Sequence, residues 1–473
     1  MTSLVDGLIQ RHGRAIDRAL HVTRSEYARR WKLVQGAMRD RGYDVAYACG
    51  SELDRSDIAW LAGIFDPIIE RYGILIPVSG RPVVVAGSEG GHVIEDCVKS
   101  SGVDVAVLRE FQISDEDYRH ASFGRLEDVI GRLVPFKPGR PVKVAILSSG
   151  QFLPHDHALM LQGRFGADNV VFDIELLRLL KYEKSDTELR LMALANRVAD
   201  AAFLGMLAVC RPGVRELDLA AVAEAVMKGL GAGRTGFPTI VSSGTRGRSV
   251  LGPATNRVLK KGEFVSLGLS PTFNGYHGIM RRTVKVGGPW TKDEAAFMDA
   301  LENLYHTVMK AVRLAARSNQ PSQAIDRAGK AYLERTRLRA QDGRRLVPRE
   351  PYTFIHNTGC SECQEGYGAV TPYTGQPLGR NVALMIDVAF MGFDDRHRLV
   401  FPVEYAVIED GFWKRGSRVG VYNRLPLQVQ DLVGQDLLDV PAPRLNPYYR
   451  PLDQGPGRAD APADKGRRNR SVI

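Results

Sequence analysis

Near residue 185 the hydrophobic patterning of this 473-residue chain changes character. Before that point short apolar runs of strand length alternate with helical segments. After it two long helical segments precede paired strands, and the same succession then occurs a second time. In the first region residues 24–40 carry apolar side chains at helical spacing, GYDVAYAC reads as a strand, and RYGILIPVSGRPVVVAG reads as two strands around a Ser-Gly-Arg-Pro turn. The alternation continues through VDVAVLREF, a helix near 124–134, VKVAILSSG and NVVFDIELL. A layered α/β domain is therefore expected over 24–182, behind a short extension at 1–23.

From Thr187 the run TELRLMALANRVADAAFLGMLAVC is a long helix stopped by Pro212-Gly213, and RELDLAAVAEAVMKGLGAG is a second helix ended by glycines. Strands follow in FPTIVSSG, EFVSLGLSPTFNGYHG and RRTVKVGG, with Asn274-Gly275 as a hairpin turn. Helices at 293–316 and 321–337 and strands YTFIHNTG, NVALMIDVAFMGF and LVFPVEYAVIEDG repeat the plan. Two helix–helix–strand–strand units predict a pseudo-twofold domain over 187–418 with its site between the halves. From about Tyr422 the chain is rich in Pro, Gly, Arg and Asp, and 419–473 is expected to be a disordered basic tail.

Composition excludes several classes. With 44% hydrophobic and 25% charged residues the chain is globular and neither fibrous nor generally disordered. No run approaches the roughly 18 apolar residues of a membrane span, and the N-terminus lacks a signal-peptide pattern, so no membrane partner and a cytoplasmic location are expected. Five cysteines (Cys49, Cys97, Cys210, Cys360, Cys363) are too few for a disulfide scaffold and agree with a reducing compartment. The net charge of +10 raises the question of nucleic acid, but residues 441–473 alone supply +4 and no aromatic-basic motif accompanies the charge. Nucleic acid is not the expected partner; a small molecule is. His155-Asp156-His157 reads as part of a surface loop and His397 as a hairpin tip, and neither forms a ligand set.

A set of motifs in fixed order carries a resemblance. They are Arg211-Pro212-Gly213-Val214 before a helix, Phe237-Pro238-Thr239-Ile240-Val241-Ser242-Ser243-Gly244, Lys261-Gly262-Glu263-Phe264-Val265, Asn274-Gly275-Tyr276 with Arg282-Thr283 after it, and His356-Asn357-Thr358-Gly359. Over roughly 24–415 the chain resembles the pita-bread superfamily of creatinase, prolidase, Xaa-Pro aminopeptidase and methionine aminopeptidase. The resemblance implies an N-terminal creatinase-like α/β domain followed by a pita-bread α+β domain, and a homodimer like creatinase.

The metallopeptidases of that superfamily hold two divalent metals with two Asp, one His and two Glu. Carried over motif by motif, the Asp positions fall on Gly268 and Ile279, the His on Cys360, and the Glu positions on Asp387 and Glu404. Glycine and isoleucine offer no donor, so a dinuclear site is not expected, no metal or other cofactor is assigned, and metal-independent creatinase becomes the nearest logic. Leu251 stands where creatinase has its catalytic His, and Arg281 where it has a substrate-binding glutamate.

The resemblance thus implies a metal-independent enzyme cleaving, by hydrolysis or lysis, a C–N bond of a small amino-acid-like or guanidino-acid-like molecule. His356 is the expected acid/base, because an imidazole exchanges protons near neutrality. Asp387 and Glu404 are expected to hold the cationic part or water, and Cys360 is a candidate nucleophile. Arg281 is expected to bind an acidic group, with Tyr367, His277 and Tyr276 lining the substrate site. Two alternatives stay open: a metal-dependent Xaa-Pro-type peptidase, and a non-catalytic pita-bread binding module.

Overall fold

A computed structural model describes residues 2–113, 118–119, 122–134, 138–361, 367–438 and 444–452. The N-terminal domain is built on a mixed six-stranded sheet. Its order across the sheet is Asp104–Val107, Val83–Ala86, Tyr72–Pro77, Val45–Gly50, Val144–Ile146 and Val170–Phe172. The hairpin of Tyr72–Pro77 and Val83–Ala86 realises the two strands read around the Ser-Gly-Arg-Pro turn. The helix Arg24–Arg41 starts at Thr23, whose side chain accepts from the Glu26 amide, and stops at Gly42 in the left-handed conformation.

The second domain curves an antiparallel sheet beneath two helix pairs. The strand order is Ile355–Asn357, Asn381–Met391, Tyr405–Arg415, Met280–Lys285, Phe264–Leu269 and Ile240–Ser243, with Arg418–Val421 paired onto the end of Tyr405–Arg415. The helix pairs are Asp186–Val209 with Glu216–Gly229, and Lys292–Ser318 with Gln323–Arg335. Each half thus supplies two helices and then strands, as the repeat in the pattern implies. The helix Asp186–Val209 is, among the described residues, the one long and apolar enough to cross a membrane; most of it is buried inside this domain as core.

The two domains are locked through Glu188. It closes the capping box of the helix Asp186–Val209 with Ser185, and its Oε1 also accepts from Trp60 Nε1 at 3.0 Å and from the Tyr276 hydroxyl at 3.1 Å. The wholly buried Arg30 lies 3.5 Å from the same oxygen and donates to the Trp60 carbonyl at 2.7 Å. One carboxylate therefore organises groups from the helix Arg24–Arg41, from the helix Ser56–Ala62 and from the pita-bread hairpin.

Three expectations need correction. The segment 1–23 is more than an extension: Thr2–Gly13 is a helix packed on the first helix pair, with Leu8 wholly buried. The stretch from 419, expected to be disordered, carries a strand and then apolar side chains between its prolines. Tyr422, Leu425, Leu427, Val429, Leu432 and Leu437 are buried, and Tyr448 packs on Tyr305 and His306. The overall Pro/Gly content concealed anchors spaced to reach the core; residues 453–473 lie outside the described residues. Finally, His155-Asp156-His157 begins a helix, His155–Phe165, and His157 is buried against Phe111 with the Tyr47 hydroxyl 2.8 Å from its Nδ1.

Candidate active site

Because strand residues alternate between faces, the register of the central sheet decides which side chains meet. Ile240 pairs with Gly268, Gly268 with Arg281, Arg281 with Glu409, and Glu409 with Asp387. These five residues form one row across five strands. Their neighbours Arg282 and Asp410 form a second pair, at 2.8 Å, facing the helices, where Tyr305 and Asn446 also donate to Asp410. The sheet therefore carries one Arg–carboxylate arrangement on each face, and the first opens to a cavity.

That cavity has a volume of about 510 Å³. Its polar floor is Arg281, Asp387, Glu409, His356 and Tyr352, and its walls are mainly Phe237, Pro238, Ile240, Leu251 and Pro253. Arg281 Nη1 lies 3.4 Å from Asp387 Oδ2 and 3.4 Å from Glu409 Oε2. Its Nη2 donates to the Tyr405 hydroxyl at 3.1 Å and to the Val250 carbonyl at 3.0 Å. Val250 presents that carbonyl from a left-handed backbone with φ of 66°, a strained state for a β-branched residue. The Tyr352 hydroxyl donates to Asp387 Oδ1 at 3.0 Å, and His356 Nε2 stands 3.2 Å from Glu409 Oε1 and 4.0 Å from Asp387 Oδ2.

Burial, and then the adjacent Glu409 carboxylate, hold the Asp387 carboxyl above the usual range, against the pull of Arg281 and His356. Burial also keeps the Tyr352 and Tyr405 phenols protonated. The floor is thus a buried cluster in which two carboxylates are satisfied by one guanidinium, one imidazole and the Tyr352 hydroxyl.

Gly268 explains how the guanidinium reaches its seat. A methyl group at this position would stand 2.7 Å from Arg281 Cγ, so the arginine stem lies across the bare backbone of its neighbour in the row. Gly268 and Arg281 are one structural solution to the space that an acidic side chain at 268 would fill.

His356, Asp387 and Glu409 each offer one ligand atom, and these atoms lie within 4.8 Å of one another. Imidazole and carboxylate together suit a borderline divalent cation. The donors present fit a single ion. They do not fit a pair, since Gly268 has no side chain and Ile279 is a wholly buried hydrocarbon. A single ion and the guanidinium of Arg281 would compete for the same two carboxylates.

The candidates named from sequence divide accordingly. Arg281, His356 and Asp387 meet on the floor. Glu404 does not join them: it lies five positions before Glu409, just ahead of the strand Tyr405–Arg415. An odd offset faces the other side of a strand, so the acid partner of Asp387 is Glu409, and the role given to Glu404 passes to it. Cys360, placed at the ligand histidine, is buried in the apolar core; His356 itself is the imidazole at the cluster. Tyr276 sits in the Arg30–Glu188 lock, Tyr367 stacks edge-on to Tyr182 at 5.0 Å, and His277 lines a separate cavity. Cys363 lies outside the described residues. The sequence reading missed Glu409, Tyr352 and Tyr405. The alternation Tyr405–Val407–Glu409 within one apolar strand was the available signal for two of them.

Residues 190–410 match the model of metallopeptidase family M24. The chain is 32% identical over 152 residues to an uncharacterized peptidase YqhT of Bacillus subtilis and 28% identical over 154 residues to a Xaa-Pro dipeptidase of Pyrococcus horikoshii. Those matches take in 32–33% of this chain and 40% of each relative's length. A probable dipeptidase PepE of Mycobacterium tuberculosis is 25% identical over 344 residues, 70% of this chain and 79% of the relative. Among solved structures, dipeptidase PepE from Mycobacterium ulcerans superposes with a TM-score of 0.64 at 22% identity, over 88% of this chain and 98% of that one. The prolidase from Pyrococcus horikoshii does so with a TM-score of 0.63 at 17% identity, over 86% and 100%. The fold expectation is thereby met. The expectation of a metal-independent, creatinase-like enzyme is overturned: the matches are to peptidases and to a metallopeptidase family. The metal-dependent peptidase, kept as an alternative in the sequence reading, is the one these likenesses favour.

Proposed function

We propose that this chain, whose residues 190–410 form a domain of metallopeptidase family M24, is a peptidase that hydrolyses small peptides of the Xaa-Pro type with the help of one divalent ion. The observation that carries the reading is the convergence of His356, Asp387 and Glu409 on the floor of a cavity of about 510 Å³, within the range of small-molecule sites. The apolar walls around Pro238, Ile240, Leu251 and Pro253 suit a pyrrolidine ring, while the floor suits the polar peptide group.

His356, Asp387 and Glu409 would hold the ion, which when bound supplies Lewis-acid polarisation and a water of lowered pKa. The chain's own groups do the rest. The Arg281 guanidinium, which donates to the Tyr352 and Tyr405 hydroxyls, is the donor beside the floor and suits the charge that grows on a carbonyl oxygen under attack. The walls exclude water around them. The test is hydrolysis of Ala-Pro, Gly-Pro and Leu-Pro by protein loaded with Mn²⁺, Co²⁺ or Zn²⁺, beside His356→Ala and Asp387→Ala. Hydrolysis by wild type that falls by 10²-fold or more in both variants supports the reading; no turnover of any Xaa-Pro peptide under any loading refutes it.

A further inference from the structure

The loop 244–254 brings three groups to the cavity. Leu251 and Pro253 stand in its wall, and the Val250 carbonyl accepts from Arg281 Nη2 at 3.0 Å. The backbone that presents them is unfavourable. The Leu251 amide donates to the Ser249 carbonyl at 2.7 Å, which closes a three-residue turn about Val250; its φ of 66° and ψ of −48° belong to the rare, strained form of that turn. Leu251 is 59% exposed, so burial of its side chain does not hold the turn in shape. A strained backbone persists only where its surroundings over-determine it.

Glu216, the first residue of the helix Glu216–Gly229, is wholly buried and directs its carboxylate at this loop. Oε1 accepts from the Ser243 amide at 2.9 Å and from the Ser243 hydroxyl at 2.6 Å. Oε2 accepts from the Thr255 amide at 3.0 Å, from the Thr255 hydroxyl at 2.7 Å and from the Arg246 guanidinium. Ser243 and Thr255 are the residues that flank the loop, and Arg246 spans it from inside, its Nη2 donating to the Pro253 carbonyl at 2.9 Å. Arg248, on the His397 carbonyl at 2.7 Å, and the Ala254 amide, on the Thr239 carbonyl at 3.1 Å, add one tether each. Glu216 takes hold of both ends at once. The helix start is closed by another acid, Asp218, which accepts from the Arg215 amide at 3.0 Å. All five bonds of Glu216 therefore serve the loop, and a charge buried so deeply is kept where such bonds match it.

We propose that Glu216 is the positioning residue of this site: by fixing both ends of the loop 244–254 it holds the Val250 carbonyl where it keeps the Arg281 guanidinium seated against Asp387 and Glu409, and so sets how readily those carboxylates take up an ion. The guanidinium turns Nη1 to the two carboxylates, while Nη2 is held by the Val250 carbonyl and the Tyr405 hydroxyl. A carbonyl on a guanidinium is a charge-assisted bond, and without it the Nη2 edge is left to Tyr405. The guanidinium then yields its seat more readily to a cation that the same carboxylates attract. Glu216 is not among the residues that line the cavity, so it acts through the loop. The inference deepens the peptidase reading and rests on the single ion of that reading.

The experiment is calorimetric titration of Mn²⁺ into chelator-treated full-length protein, for wild type, Glu216→Gln, Thr255→Val and Arg281→Met, and for the first two changes combined with Arg281→Met. No turnover is needed, so the result stands apart from the peptide-hydrolysis test. Glu216→Gln is expected to bind Mn²⁺ at least threefold more tightly than wild type. Thr255→Val, which removes one donor and keeps the side chain's size, is expected to move about twofold in the same direction. In the Arg281→Met background both changes should be silent, because the group through which they act is gone. A merely structural role would weaken ion binding or leave it unchanged, and would do so with or without Arg281. Unchanged or weaker binding in Glu216→Gln, beside tighter binding in Arg281→Met, overturns the proposal and leaves the single-ion site standing. Equal effects in both backgrounds overturn the link through Arg281. Binding of Mn²⁺ by none of the proteins overturns the proposal together with the single-ion reading. If Glu216→Gln does not fold, Thr255→Val decides the matter by the same comparison.

Discussion

Replacing Arg281 by methionine keeps most of the stem that crosses Gly268 and removes the charge that Asp387 and Glu409 share. With Nη1 at 3.4 Å from each carboxylate, each pair has a gross attraction of about 5 kcal/mol at an effective dielectric constant near 20. Desolvation offsets much of this, and breaking a buried pair from one side costs about 3–5 kcal/mol. The metal-free variant should therefore melt well below wild type, because two buried carboxylates are left with His356 and the Tyr352 hydroxyl alone. A divalent ion should recover that loss. Its affinity should rise in Arg281→Met by at least tenfold, and by more than a hundredfold if about 3 kcal/mol is transferred to binding. The assay is calorimetric titration of Mn²⁺ and Zn²⁺ into chelator-treated wild type and variant, with melting curves at each metal concentration. Equal affinities within twofold, or a metal-free variant as stable as wild type, would refute the view that guanidinium and ion compete for one seat.

Gly268→Ala should destabilise wild type by about 1–3 kcal/mol, since its methyl would stand 2.7 Å from Arg281 Cγ, and should be nearly silent in an Arg281→Ala background; additive unfolding free energies in urea would contradict the coupling. Arg30→Met strands Glu188 between the domains and is expected to lower stability by about 3–5 kcal/mol, to be checked by the denaturation midpoint. Burial holds His157 down to about 4, below its unfolded value of 6.5. Its neutral form thus contributes stability that is fully present above pH 6.5 and is lost as pH falls toward 4. The loss is at most about 3 kcal/mol, and His157→Gln should flatten this acid limb of the melting temperature against pH. Gly278→Ala should impair folding outright, its methyl meeting the Ala195 backbone at 2.4 Å; soluble protein with an unchanged melting curve would disprove that contact.

The architecture was legible because it is written in periodicity. The helices at Arg24–Arg41, Asp186–Val209 and Lys292–Ser318 and the Asn274-Gly275 turn lie where spacing and turn chemistry put them. The site was legible only in part. Motif order located Arg281, His356 and Asp387, but it did not fix the register of the long strand Tyr405–Arg415, in which acids stand at 409 and 410 and another precedes it at 404. Register is a property of strand pairs, and Asp387 opposite Glu409 becomes visible only once both strands are laid side by side.

The row Ile240–Gly268–Arg281–Glu409–Asp387 ties these strands of argument together. A site for two ions would need acidic donors on both sides of the row; here Gly268 offers no donor and Arg281 lies beside it, its positive charge standing against Asp387 and Glu409. The missing side chain at Gly268 is what lets the arginine stem lie across it: an acid at 268 would collide with that stem, and Gly268 without Arg281 would leave the two carboxylates without their shared guanidinium. On the other side His356, Asp387 and Glu409 offer donors that would suit one ion and are too few for two. An ion bound there would contend with a guanidinium already in place for the same two carboxylates, so its occupancy would depend on its concentration as well as on the ligands.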